Sequence, residues 1–198
     1  MPAFPGAGGC VVNGLASQWR KWQSRAPRRH DMRFATLARN DKSPMPHGSV
    51  TETIPAPSTE VFRLLHDYDR RLEWDTLLRD ARLCAPWTEA QLHATSVCTG
   101  RWYLGGLALR TEYVSFHPPH LAAVKMLNRP PFFAGFAATI RHRDLSDGAS
   151  SVEYKYTFTA RPSWLRWLLH PVMAALFRWE TRKRLRALRR FFLIADQL

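Results

Sequence analysis

Residues 151–160, SVEYKYTFTA, decide the fold class of this chain. Val152, Tyr154, Tyr156, Phe158 and Ala160 alternate with Glu153, Lys155, Thr157 and Thr159, so a β-strand puts apolar side chains on one face and polar ones on the other. Working back from this strand, Asp147-Gly148 is a hairpin signal. Before it, residues 132–140 repeat the alternation, with Phe132, Ala134, Phe136, Ala138 and Ile140 on one face. Weaker strand segments fall near 80–85, 92–99, 107–116 and 121–127, separated by turn-rich spacers such as Gly105-Gly106 and His117-Pro118-Pro119-His120. Short connections between successive strands imply an antiparallel meander.

The flanks of this meander are different in kind. Residues 49–54 read as a short strand stopped by Pro55 and Pro57. Pro57 falls in the first turn of a helix over about 58–66, with Ser58 and Thr59 as acceptors for its orphan N–H groups and Val61, Phe62 and Leu65 on one face. Residues 67–75, DYDRRLEWD, read as a second short helix or turn with Leu72 and Trp74 as buried candidates. The chain ends in a long helix over about 164–193, with Ser163 as its N-cap. Its apolar stripe is read as Leu165, Leu168, Val172, Leu176 and Trp179, continued by Leu185, Leu188 and Phe192. Arg178, Arg182, Arg186 and Arg189 form a displaced stripe, and Pro171 predicts a kink or break.

A strand, two short helices, six antiparallel strands and a long terminal helix is the element order of the START-like helix-grip fold, an α+β class. Ile54-Pro55-Ala56-Pro57 leading into Glu60-Val61-Phe62, then Asp67–Asp75 with Trp74, resembles the opening of the polyketide cyclase/dehydrase and lipid-transport (SRPBCC) family. Leu176-Phe177-Arg178 and the segment from Arg182 to Phe192 resemble its last helix. The resemblance covers residues 48 to about 195. It implies a bent sheet of about six to seven strands around the long helix, with a pocket between them that opens near the short helices. Tyr154, Tyr156 and Phe136 from the strands, with Leu168, Val172, Met173 and Leu176 from the helix, are then the expected lining. Trp74 looks like a structural Trp of the family, placed near the cavity mouth.

Charge narrows the partners. The formal net charge is +13, but residues 48–160 hold twelve Lys/Arg and twelve Asp/Glu and are neutral. Residues 1–47 carry +6 and residues 161–198 carry +7. No nucleic-acid module accompanies this charge, so no specific nucleic-acid partner is expected. The basic last helix instead suits peripheral contact with an anionic membrane or a partner's acidic face. No run approaches the roughly 18 apolar residues of a membrane span. Cys10, Cys84 and Cys98 lack CxxC spacing and read as reduced residues of a cytoplasmic protein. Residues 1–47 are expected to be a disordered or loosely ordered basic tail: a transit peptide, a surface-binding arm, or translated sequence upstream of a start at Met32 or Met45.

Catalytic signals are sparse. His66, His117, His120, His142 and His170 share no element face. Glu112 has Val114 and Phe116 as parity neighbours, while Leu107, Leu109 and Tyr113 favour the other face. Glu180 is positioned to pair with Arg184 at i+4. No nucleophile motif, phosphate loop or metal-ligand cluster is present, and no cofactor is expected. The leading reading is a binding protein for a hydrophobic small molecule (lipid, isoprenoid, quinone or polyketide). A polyketide aromatase/cyclase-like enzyme using the same cavity is the alternative, and a regulatory module that binds protein through its basic helix is a third.

Overall fold

The computed structural model describes residues 46–195. Seven strands, β1 (His47–Ile54), β2 (Leu78–Leu83), β3 (Thr95–Gly100), β4 (Ala108–His117), β5 (Leu121–Met126), β6 (Phe133–Asp144) and β7 (Ser150–Ala160), form one antiparallel sheet in the order β1-β7-β6-β5-β4-β3-β2. Between the two edge strands run α1 (Ser58–His66) and α2 (Arg71–Trp74), and the long α3 (Arg166–Ala195) follows a single 3₁₀ turn at Ser163–Leu165. This is the helix-grip architecture. The predicted tail falls almost wholly outside the described residues, and β1 begins within its last residue at His47. No helix of the described residues is long and apolar enough to cross a membrane.

Local chemistry explains the joints. Pro57 enters α1 in the extended conformation, and the first-turn donors are met from across the fold: the Asp144 carboxylate accepts from the Ser58 N–H at 2.7 Å and from its Oγ at 2.9 Å. The β6–β7 hairpin closes through the Leu145 N–H on the Ala149 carbonyl at 2.8 Å, with Gly148 in the left-handed region at φ +70°. Pro171 lies inside α3 beyond its first turn, and the helix continues through it.

Two bulges revise the strand faces. In β6 the register shifts between Phe133 and Gly135, so Phe133 is buried and Ala134 is not, while Phe132 precedes the strand at φ +67° and is 57% exposed. Beyond the shift, Phe136, Ala138 and Ile140 keep their expected face. In β4 the shift between Tyr113 and Ser115 reconciles the two competing parities. Tyr113 and Phe116, three apart, both point inward, and Val114 is exposed. An extra residue in one strand turns the pleat over, which strict alternation cannot anticipate.

α3 packs closest against β1 and β7. Its second half supplies Leu185 and Leu188 to a core with Ile54, Val61, Leu65, Trp74 and Val152. Its first half supplies Met173, against Phe133, Tyr156 and Phe158. Over β3 to β5 no comparable contact forms, and the space left there is the cavity.

Candidate functional site: an internal cavity with a polar end

A cavity of about 540 Å³ lies between α3 and the concave face of the sheet. Alternate positions of β4 (Leu109, Thr111, Tyr113), Cys98 of β3, Val124 of β5 and Phe133, Phe136 and Ile140 of β6 make one wall. The opposite wall is a stripe of α3 at helical spacing: Leu169, Met173, Leu176, Phe177, Glu180, Thr181 and Arg184. The lining residues most open to solvent are Gly105, Pro131, Phe132 and Leu176. They place the opening between the β3–β4 connection, the loop before β6 and the middle of α3. The mouth expected beside the short helices is closed there, because Leu65, His66 and Arg71 of α1 and α2 are buried.

That closed end is polar. Asp75, 1% exposed, accepts Arg71 Nε at 3.0 Å, Arg184 Nε at 3.0 Å and Arg184 Nη2 at 2.7 Å. Arg71 also donates to the Leu65 carbonyl and lies over the Trp74 ring at 4.7 Å. Burial pushes the Asp75 carboxyl up, but Arg184 and Arg71 outweigh it and hold it below the usual carboxylate range. Beside this knot runs a neutral chain. His66 Nδ1 meets the Tyr113 hydroxyl at 2.9 Å, which meets the Tyr68 hydroxyl at 3.1 Å. Burial, then Arg71 and His142, holds the His66 pKa well below its ordinary value, and burial raises those of Tyr113 and Tyr68. His66 Nε2 is buried without a hydrogen-bond partner.

Phe136, Tyr154, Met173 and Leu176 lie on the cavity wall. Four other expected residues do not. Tyr156 is buried between β1 and α3, its ring 5.3 Å from Phe177 and so close over Gly48 that a Cβ there would collide with it. Trp74 belongs to the core behind the polar end and borders only a void of about 10 Å³. Leu168 and Val172 point outward, Val172 being 58% exposed. The first half of α3 is apolar on both sides, so spacing alone could not tell the inward stripe (169, 173, 177) from the outward one (164, 168, 172).

The expected Glu180–Arg184 pair is also absent, since Arg184 is engaged by Asp75. Glu180 instead faces the cavity at 4% exposure, with neither carboxyl oxygen hydrogen-bonded. Glu112, by contrast, lies on the outer face of β4 between His93 and Lys125, at 3.2 and 3.1 Å. His66, Tyr68, Tyr113, Arg71 and Arg184 were missed as wall residues because they converge from four separate elements and the connection between α1 and α2. The available signals were that Tyr68, Arg71 and Asp75 fall in the 67–75 segment that carries the family resemblance, and that Tyr113 shares a strand face with Leu107 and Leu109.

Residues 45–192 match the family described as polyketide cyclase/dehydrase and lipid transport. No curated protein matches the sequence. Solved structures share the fold at low identity. A START superfamily protein from Mycobacterium smegmatis is 8% identical with a TM-score of 0.64, over 75% of this chain and 98% of that one. The ZhuI aromatase/cyclase from Streptomyces sp. R1128 is 16% identical with a TM-score of 0.60, over 73% and 91%. The protein XoxI from Bacillus cereus is 17% identical with a TM-score of 0.62, over 77% and 99%. With the helix-grip sheet, the enclosed cavity and a match spanning most of its length, this chain belongs to the polyketide cyclase/dehydrase and lipid-transport family.

Proposed function

We propose that this protein binds an apolar small molecule (a lipid, isoprenoid, quinone or polyketide) inside the cavity and exchanges it at an anionic membrane surface. The observation that carries the binding reading is the volume. About 540 Å³ is far more than a packed core leaves empty, and it falls within the roughly 300–1,000 Å³ of small-molecule sites. The wall is apolar over most of its area, so affinity comes from burial, with the polar end setting orientation.

The membrane part rests on the outward face of α3 and its surroundings. Trp164, Trp167, Leu168, Val172 and Trp179 are exposed there, with Trp167 at 76%, and Trp102 of the β3–β4 connection is exposed at 83%. Arg166, Arg178, Arg182 and Arg186 lie on the same helix, and Lys183 Nζ is 5.4 Å from the Tyr103 ring and 5.1 Å from that of Trp179. Tryptophan and cationic side chains together match the interface of an anionic bilayer. A second copy of this basic face would be repelled. The mouth of the cavity borders the same surface, through Leu176.

Native mass spectrometry of the purified protein is expected to find a co-purified apolar molecule, and an apolar fluorescent probe is expected to bind and be displaced by lipids. A protein that is empty and binds no probe refutes the reading. Flotation with phosphatidylglycerol vesicles is expected to carry the protein, weakly or not at all with phosphatidylcholine, and Trp164→Ala with Trp167→Ala is expected to abolish it.

The neutral His66–Tyr113–Tyr68 chain favours one second reading, an aromatase/cyclase-like enzyme in which His66 takes or gives a proton on a bound polyketide. It predicts conversion of a poly-β-ketone that is lost in His66→Ala while probe binding survives.

A further inference from the structure

Glu180 is out of keeping with its position. It stands mid-stripe on the cavity face of α3, between Phe177 and Arg184, where Leu or Phe would complete an apolar wall. Instead the helix presents a buried carboxyl whose two oxygens have no hydrogen-bond partner. An orphaned buried polar group lowers stability, so a native structure that retains one calls for an explanation. The nearest polar groups offer none within the protein. Arg184 and Arg71 are engaged by Asp75, and Lys183 faces the aromatic rings of Tyr103 and Trp179 on the rim.

We infer that Glu180 is the head-group anchor of the cavity, its carboxyl, when in the acid form, donating a hydrogen bond to the accepting oxygen of a neutral ligand such as a ketone, quinone or ester carbonyl. The inference rests on the cavity reading and names the ligand class within it. Geometry supplies the first support: a donor on the wall, at the end where Asp75, Arg71 and Arg184 make the surroundings polar, opposite an apolar region built by Phe133, Phe136 and Phe177. Electrostatics supplies the second. Burial raises the carboxyl's pKa, Lys183 and Arg184 oppose that, and Asp75 adds to it. The net direction is towards the neutral acid, which is a donor. The charged groups facing this end are Arg184 and Arg71 against Asp75 alone, with His66 held neutral. That excess of positive charge disfavours an ammonium ligand. An anionic ligand would compete with Asp75 for the same two guanidinium groups.

The test compares 2-undecanone, undecane and undecylamine as competitors of N-phenyl-1-naphthylamine in the full chain, its Glu180→Gln variant and its Glu180→Leu variant. In the wild type the ketone is expected to displace the probe about tenfold more tightly than the alkane, equivalent to about 1.4 kcal/mol. Glu180→Gln keeps a donor and is expected to keep the preference. Glu180→Leu is expected to lose it and to melt at higher temperature than wild type, since it removes the orphaned group. The wild-type preference is expected to fade as rising pH ionises the acid, while that of Glu180→Gln stays flat. Equal binding of ketone and alkane by wild type, a preference that survives in Glu180→Leu, or an amine that binds tightest each overturns the inference while leaving the cavity reading intact. Failure of the probe to bind wild type overturns both.

Discussion

Asp75 is the residue on which the closed end of the cavity depends. Its side chain has no solvent exposure, and it pairs with two guanidinium groups contributed by α2 and α3. Removing one partner of a buried ion group leaves the other charges uncompensated, at a cost of about 3–5 kcal/mol. Asp75→Ala is therefore expected to lower the unfolding free energy read from urea denaturation by that order, and replacing exposed Asp80, paired only with Arg82 at the surface, by less than about 1 kcal/mol. His142 is the corresponding acid-sensitive residue. Buried against Phe62, it titrates at about 4, held down first by burial and then by His120, with Asp144 opposing. The unfolded chain's histidine titrates at 6.5, so between pH 6.5 and about 4 only the unfolded state gains this proton. Stability from this group is full above pH 6.5 and falls as pH drops through that window, by about 3 kcal/mol in all. Denaturation at stepped pH is expected to show a shallower dependence in His142→Leu. These roles were hard to read from single residues: Asp75 and Trp74 are adjacent in sequence, yet which of them is engaged by Arg184 depends on a contact 109 positions away.

At the scale of elements, period-2 alternation located β7 and most of β6 to within a residue or two, and period-3.6 spacing located α1 and α3. What spacing could not supply was the phase. In β4 and β6 a bulge inverts the pleat part-way, so two aromatic residues three apart, Tyr113 with Phe116 and Phe133 with Phe136, share one face. In α3 two apolar stripes compete, and packing on β1 and β7 selects the one containing Leu169, Met173 and Phe177. The selection is measurable. Val172→Ser, on the outward stripe, is expected to change stability by less than about 0.5 kcal/mol. Met173→Ser, one position along and buried, is expected to cost about 2–4 kcal/mol through lost burial and an unpaired hydroxyl. Equal effects in thermal melts would contradict the orientation of the helix.

At the scale of the whole molecule, the cavity exists because α3 follows one side of a curved sheet and leaves the other uncovered. A large side chain placed on the uncovered side therefore fills space without displacing core. Thr111→Trp is expected to retain a cooperative melt while reducing apolar-probe affinity tenfold or more, as read by fluorescence titration. If probe binding persists at full strength, the probe is bound elsewhere. The sequence by itself determined the order of elements, the strand and helix types and the uneven distribution of basic charge, because these follow from local periodicity and composition, while its motifs at 54–75 and 176–192 carried the resemblance to the family. Tertiary structure alone decided which stripe of α3 faces inward, where the cavity opens, and that Glu180 stands on its wall without a partner. Those properties are set by contacts between segments far apart in the chain, where bulges, helix rotation and competition for Arg184 are settled together by packing.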